Sequence, residues 1–355
     1  MSIVPNNELP RPPENAGAQG IPLPGQNRPR VSVAMTTYNQ EKFIAQAIES
    51  VLMQATDFPV ELVIGEDCST DGTRRIVRAY AEKYPKVIRA LLRERNLGMN
   101  KNAIATFEAC RGEFIAVLEG DDYWTDPRKL QKQVALMEQN PRCSMCATAA
   151  RDVLLSTDGQ EREIGLFPES SAKNLYELED VLAEYPFRTL TFLLRNGLVK
   201  LPGWFENAGN GDMCLLALYA EKGPIAYLGE VTSTYRQHAG GIWSGASCAE
   251  KCKVIRKTLG VLNEHFSGRY AGILRKRDFN SSKLVCLELV HQGHGREAER
   301  IYWESFSRFA RHMPFAYILF GFSVYASFCT AAWHRLRVRV AIRTRVKRIM
   351  FSHHS

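Results

Sequence analysis

Four clusters of polar side chains stand where chemistry could be done, each just after a short apolar run. Thr36, Thr37, Tyr38 and Asn39 form the first, and Glu66, Asp67, Cys68, Ser69, Thr70, Asp71, Gly72 and Thr73 the second. Arg95 to Asn102 make the third, and Glu119, Gly120, Asp121, Asp122, Tyr123 and Trp124 the fourth. Any one of them could be turn or capping chemistry, the ordinary use of Asp, Ser and Asn. Four in succession exceed what punctuation requires. Adjacent carboxylates such as Asp121 and Asp122 repel each other and, in a cleft, need a cation or a shared proton. Hard divalent cations take carboxylate oxygens and complete their shell with water and phosphate, and an ion held so can neutralise a departing diphosphate. The competing reading is a solvated turn before a helix that opens at Pro127, a favoured first-turn residue.

Two later segments add candidates. Asp212 lies at the start of an apolar helical stretch, Asn210 to Leu216. As a bare pattern it reads as an N-cap. Tyr235, Arg236, Gln237, His238, Ala239, Gly240 and Gly241 follow a strand-like run. There His238 is a lone histidine, more often structural than a ligand. Trp243 is either a platform for a sugar face or core.

The elements that must position these groups are legible from periodicity. Val31–Thr37, Val60–Glu66, Val87–Leu92 and Phe114–Leu118 are short Val/Ile-rich runs of the kind buried on both faces of a sheet. Phe43, Ile44, Ala47, Ile48, Val51 and Leu52 share one helical face, with Asn39 as its expected N-cap. Ile76, Val77, Tyr80, Ala81 and Tyr84 share another, stopped by Pro85. Strands alternating with helices predict a mostly parallel α/β sheet flanked by helices, whose ligands bind beyond the carboxyl ends of the strands. Residues 249–312 read as a helical extension.

Composition sets the outer limits. The chain has 355 residues, 45% hydrophobic and 24% charged, enough for one large α/β domain with appendages. Residues 1–30, rich in Pro, Gly and Asn, read as a disordered arm without an export signal. The nine cysteines are an odd number at irregular spacing, expected as free thiols, with Cys143 and Cys146 in the core. Net charge is +8, yet Arg335, Arg337, Arg339, Arg343, Arg345, Lys347 and Arg348 alone supply seven, leaving +1 elsewhere. That placement disfavours nucleic acid as a partner, which calls for positive charge spread over a folded face. Met313 to Trp333 is free of charge and about as long as a bilayer span. A spanning helix would set the basic tail against the positive-inside tendency. The reading preferred is an interfacial helix with the Arg-rich tail on anionic lipid, the competitor a helix packed on the domain.

In this order the motifs Val31 to Asn39, Glu66 to Thr73, Asn96-x-Gly98 and Glu119 to Trp124 resemble the family 2 glycosyltransferases of the GT-A fold, over roughly residues 31 to 240. The resemblance implies a Rossmann-like GT-A domain, 31–248, that moves a sugar from a nucleotide-sugar donor, UDP by family tendency, to a glycan or lipid-linked hydroxyl with inversion. It implies that Thr36 and Tyr38 line the base, that Asp67 accepts a hydrogen bond from it, and that Asp121 contacts the ribose. Asp122 and His238 would hold Mg²⁺ or Mn²⁺, Arg236 would meet the diphosphate, and Asp212 would be the catalytic base. Two departures stand out: Glu119, where the family often has Asp, and Gly211, where it commonly has Glu. The implied setting is polysaccharide synthesis in the cytoplasm, at the inner face of a membrane. The rivals are an inactive carbohydrate-binding platform, and a sugar nucleotidyltransferase, which would open on a Gly-rich basic loop that Thr36 to Asn39 is not.

Overall fold

The computed structural model describes residues 28–156, 158–168 and 173–309. It divides between Ser244 and Gly245 into two compact units. The first opens with β1 (Val31–Thr37), α1 (Ile44–Leu52), β2 (Val60–Glu66), α2 (Thr73–Lys83), β3 (Ile88–Leu92), α3 (Met99–Ala109) and β4 (Phe114–Glu119). It continues through β5 (Tyr123–Trp124), α4 (Lys129–Gln139), β6 (Met145–Leu155), β7 (Glu161–Phe167), β8 (Leu175–Tyr176), α5 (Leu178–Ala183), β9 (Leu193–Arg195), α6 (Gly211–Ala220) and β10 (Ile225–Gln237). The second unit contains α7 (Cys248–His265), α8 (Ala271–His291) and α9 (Gly295–Phe309). The expected apolar segment 313–333, the basic tail and most of the N-terminal arm lie outside the described residues.

The sheet runs β3-β2-β1-β4-β9-β6-β10-β5, with β7 on β6 and β8 on β10. β1 is parallel to β2 and to β4, and β2 to β3, so Thr37 lies beside Glu66 and Thr36 beside Glu119. This register brings the first, second and fourth polar clusters to one edge. Short β9 runs antiparallel between β4 and β6, and β6 is parallel to β10, which returns the chain to the same edge at Arg236. The core beneath it joins Val33, Met35, Leu62, Ile64, Ala116 and Leu118 to the predicted faces of α1 and α2. A stripe of β-branched and Leu side chains buried on both sides explains why these runs are strands.

Two helix starts differ from expectation. Asn39 does not cap α1, because it sits at φ 54° with its side chain turned to the next loop. α4 begins at Lys129, two residues past Pro127, after a turn held by Asp126, whose carboxylate accepts from Arg128 N at 2.8 Å. Cys143 and Cys146 are core residues, and all eight cysteines among the described residues are free thiols.

Candidate active site

Most of the polar residues in the first two clusters hold the loops to each other. Asn39 N donates to Ser69 Oγ at 3.0 Å and Thr70 N to Asn39 Oδ1 at 2.8 Å. Gln40 N donates to Thr73 Oγ1 at 2.7 Å, and Gly72 N to Glu41 Oε2 at 2.7 Å. Left over from this stitching are Thr36, half-buried, and Tyr38, 44% exposed. Asp67 is 3% exposed, and its two oxygens accept from Leu97 N at 2.8 Å and Gly98 N at 2.9 Å. Gly98 stands at φ 84°, a conformation that favours glycine. Asp67 thus shapes the Asn96-x-Gly98 loop, while its own N donates to Thr37 O at 3.0 Å, next to Tyr38 in sequence.

Three acids close β4. Asp122 is 2% exposed, and its Oδ1 accepts from Arg236 N at 2.8 Å. Asp121 points the other way, with Oδ2 3.2 Å from His238 Nε2. The His238 ring rests on Phe43, centroids 4.8 Å apart, and its backbone N donates to Ser244 Oγ at 3.2 Å. Burial, then the charges of Asp212 and Asp121, push Glu119 up to about 8, and its Oε2 is buried with no hydrogen-bond partner among the described residues. Asp122 is held well above the carboxylate range by burial and by Asp121 and Glu119.

Arg236 is engaged on every side. It is 4% exposed; Nε donates to Glu161 Oε1 at 2.6 Å, Nη1 to the Asp121 carbonyl at 2.9 Å, and Nη2 to Gln46 Oε1. Its guanidinium lies 4.3 Å from the centre of the Tyr123 ring, whose hydroxyl donates to Glu161 Oε2 at 2.7 Å. The expected diphosphate contact is therefore not what its geometry offers: the cation locks the acidic loop against β7. Likewise the side chain facing His238 is Asp121 and not Asp122: Asp121 lies in a tight turn closed by Asp122 N on Glu119 O at 3.2 Å, and Asp122 turns instead to Arg236 N.

Asp212 sits in the first turn of α6, and Asn210 is the cap, its Oδ1 accepting from Met213 N at 2.8 Å. Every other residue of α6 is buried, so Asp212 is its single opening to the site. The Gly211 departure also has a physical reason. A Cβ there would stand 2.7 Å from Asn100 Oδ1, and Asn100 Nδ2 donates to Ala208 O at 2.9 Å, tying α3 to the turn before α6. Sequence reasoning missed Gln46, Glu161, Tyr185 and Thr189 as parts of this region; their partners lie 23 to 190 residues away.

A divalent cation fits this chemistry. An orphaned carboxylate oxygen and mutually repelling acids ask for positive charge, and Asp121 with His238 offers an O,N pair on one side. Among the described residues no three His, Cys, Asp or Glu side chains converge as a fuller ligand set. An ion there would draw its other ligands from water and phosphate, as Mg²⁺ commonly does. A separate groove of about 790 Å³, lined by Arg28, Arg30, Asp57, Glu113 and Glu138 among others, lies at the amino ends of β1 and β2, away from the acids.

The sequence profile described as glycosyl transferase family 2 matches residues 32–192. An uncharacterized protein of Mycobacterium tuberculosis is 36% identical over 219 residues, 61% of each chain, so the matched segment spans about three fifths of that relative. An uncharacterized glycosyltransferase of Nostoc is 36% identical over 109 residues, 31% of this chain and 33% of its own. In fold, the chain is similar to a mannosyltransferase from Pyrobaculum calidifontis solved with GDP-Man and Mn²⁺, with a TM-score of 0.55, 16% identity and 88% of each chain covered. With the strand-end motifs in register on a mostly parallel sheet, residues 32–192 carry the glycosyl transferase family 2 profile and the first unit has the GT-A fold.

Proposed function

We propose that the protein transfers a sugar from a nucleotide-sugar donor to an acceptor hydroxyl, with Asp212 as general base and inversion at the anomeric carbon. The observation that carries this reading is Asp212 itself, the one residue of α6 that is not buried, released from capping by Asn210 and set close enough to Glu119 to raise its pKa. The nucleotide would lie along Thr36 and Tyr38, with Asp67 beneath the base. Asp121 and His238 would hold Mg²⁺ or Mn²⁺, and Asp122 would keep the loop in place through Arg236 N. A divalent ion held there supplies charge that stabilises the departing diphosphate.

The chain's own part in the chemistry is positional and basic. Asp212 takes the proton as the acceptor O–H bond breaks and the new O–C1 bond forms. The C1–O bond to the diphosphate breaks from the opposite face, and its electron pair leaves with the phosphate oxygen. One displacement inverts C1, and no covalent nucleophile is required. The setting would be synthesis of a glycan or a lipid-linked glycan, with the basic tail on anionic lipid at the inner face of the membrane. Among the described residues no helix is long and apolar enough to cross a bilayer.

The test is calorimetric titration of the purified protein with UDP, GDP and dTDP, in Mn²⁺ and then in EDTA. Metal-dependent binding of one nucleotide supports the reading and identifies the donor base. A folded sample that binds none of them would overturn it.

A further inference from the structure

Tyr185 and Thr189 belong to none of the strand-end motifs, yet their hydroxyls meet on one atom. Tyr185 Oη donates to Asp212 Oδ2 at 2.9 Å, and Thr189 Oγ1 donates to the same oxygen at 2.8 Å. Oδ1 receives no hydrogen bond from the described residues. The short 3-10 turn Thr189–Thr191 that presents Thr189 is fixed from below. Trp124 Nε1 donates to Leu190 O at 2.9 Å, Gln133 Nε2 to Thr191 O at 2.8 Å, and Thr191 Oγ1 to Arg188 O at 2.6 Å. Burial and the Asp212 charge hold the Tyr185 phenol well above its ordinary range, so it remains a donor.

Given the reading of Asp212 as the base, we propose that Tyr185 and Thr189 are positioning residues that grip Asp212 through Oδ2 and turn Oδ1 toward the acceptor hydroxyl. The chemistry suits this division. A carboxylate that takes a proton on Oδ1 keeps Oδ2 as a carbonyl oxygen, which can go on accepting both hydrogen bonds. The clamp therefore needs no rearrangement during the transfer. A tether serving only to join this turn to α6 would gain nothing from leaving one oxygen of a partly exposed carboxylate unengaged.

The experiment uses the full chain with UDP-glucose, UDP-galactose and GDP-mannose as donors and water as acceptor, reading release of nucleoside diphosphate. The variants are Asp212→Asn, Tyr185→Phe, Thr189→Val and Thr189→Ser, each first checked for metal-dependent nucleotide binding. A hydrogen bond to a charged group is lost in Tyr185→Phe and in Thr189→Val. Each should lower kcat about ten- to a hundredfold with the donor KM within about twofold. Thr189→Ser, which keeps the hydroxyl, should restore turnover. If Tyr185→Phe and Thr189→Val turn over like the unmodified protein while Asp212→Asn is inactive, the clamp is wrong and the base assignment stands. If Asp212→Asn itself turns over normally, the base assignment fails and the clamp falls with it. A loss confined to KM would mark the two hydroxyls as donor contacts and also overturn the proposal.

Discussion

Replacing Lys129 by Met should change how stability depends on pH, by an amount the structure sets. Lys129 opens α4 with no exposed surface, its amine 4.9 Å from the centre of the Trp124 ring. It donates to Gln133 Oε1 and, at 3.4 Å, to Thr191 O. Burial pushes its ammonium down to about 7 from an ordinary 10.5, against upward pulls from Cys146 and Asp126. A neutral amine has two N–H groups, and two acceptors await it. Between pH 7 and 10.5 the unfolded chain holds the extra proton, so stability rises with pH across that window and is lowest below it. At roughly 1.4 kcal/mol per pH unit the whole difference is about 5 kcal/mol, of which about 2 kcal/mol is recovered between pH 7 and pH 9. Glu119 works in the other direction: pushed up to about 8, its folded carboxyl keeps a proton the unfolded chain has lost, and stability falls as pH climbs toward that value. The comparison must therefore be the unmodified protein against Lys129→Met, by urea unfolding at pH 7 and pH 9. Losing the donor to Gln133 Oε1 adds a cost that does not vary with pH, so the change between the two pH values is what matters. The unmodified protein should gain about 2 kcal/mol on the variant over this interval. Parallel pH dependence in the two proteins would mean that the buried lysine keeps its proton, and would refute the argument.

Asp121→Ala and His238→Ala should each weaken Mn²⁺-supported nucleotide binding about tenfold or more, whereas Asp122→Asn, which keeps an acceptor for Arg236 N, should stay within about threefold; calorimetry in which Asp122→Asn is the damaging change would return the ligand role to Asp122. Arg236→Lys breaks a three-way guanidinium contact and leaves Glu161 poorly paired, so thermal unfolding should show a loss of about 2–4 kcal/mol; an unchanged Tm would show that the loop does not depend on this lock. Gly211→Ala should cost about 1–3 kcal/mol by pressing on Asn100, and combining it with Asn100→Ala should cost less than the two single losses together; strict additivity in urea unfolding would mean that the two residues do not compete for space.

The framework was legible because it rests on local signals. Burial on both faces leaves continuous Val/Ile runs, and β1 and β2 begin and end where the sequence places them, with β3 and β4 one residue different at one end. The polar clusters were legible as a group because a parallel sheet brings its strand ends to one edge. What the sequence could not show is which way each side chain turns and what distant partner it meets. Asp121 and Asp122 are adjacent, and only the bond from Arg236 N, 114 residues on, shows which of them is turned inward. Arg236 reads as a free cation for phosphate until Glu161 on β7 and Gln46 on α1 are seen to hold it. Asp212 reads as a cap until Asn210, two residues earlier, takes that task.

These differences share one physical cause. Buried or half-buried acids at a strand edge are costly unless each has a donor or a cation, so the fold must use much of its own polar chemistry to keep them there. Asp67 is held by two backbone N–H groups, Asp122 by one, and Glu161 by Arg236 and Tyr123. The groups left with capacity to spare are therefore more informative than the motif as a whole: Tyr38 is exposed, Glu119 keeps an oxygen without a partner among the described residues, the Asp121 carboxylate meets the His238 ring, and Asp212 is held by one oxygen. They all lie in the carboxyl-end region of the first unit, where this architecture leaves a ligand room to bind. A nucleotide base, a diphosphate with its cation and a hydroxyl to be deprotonated would use these four capacities.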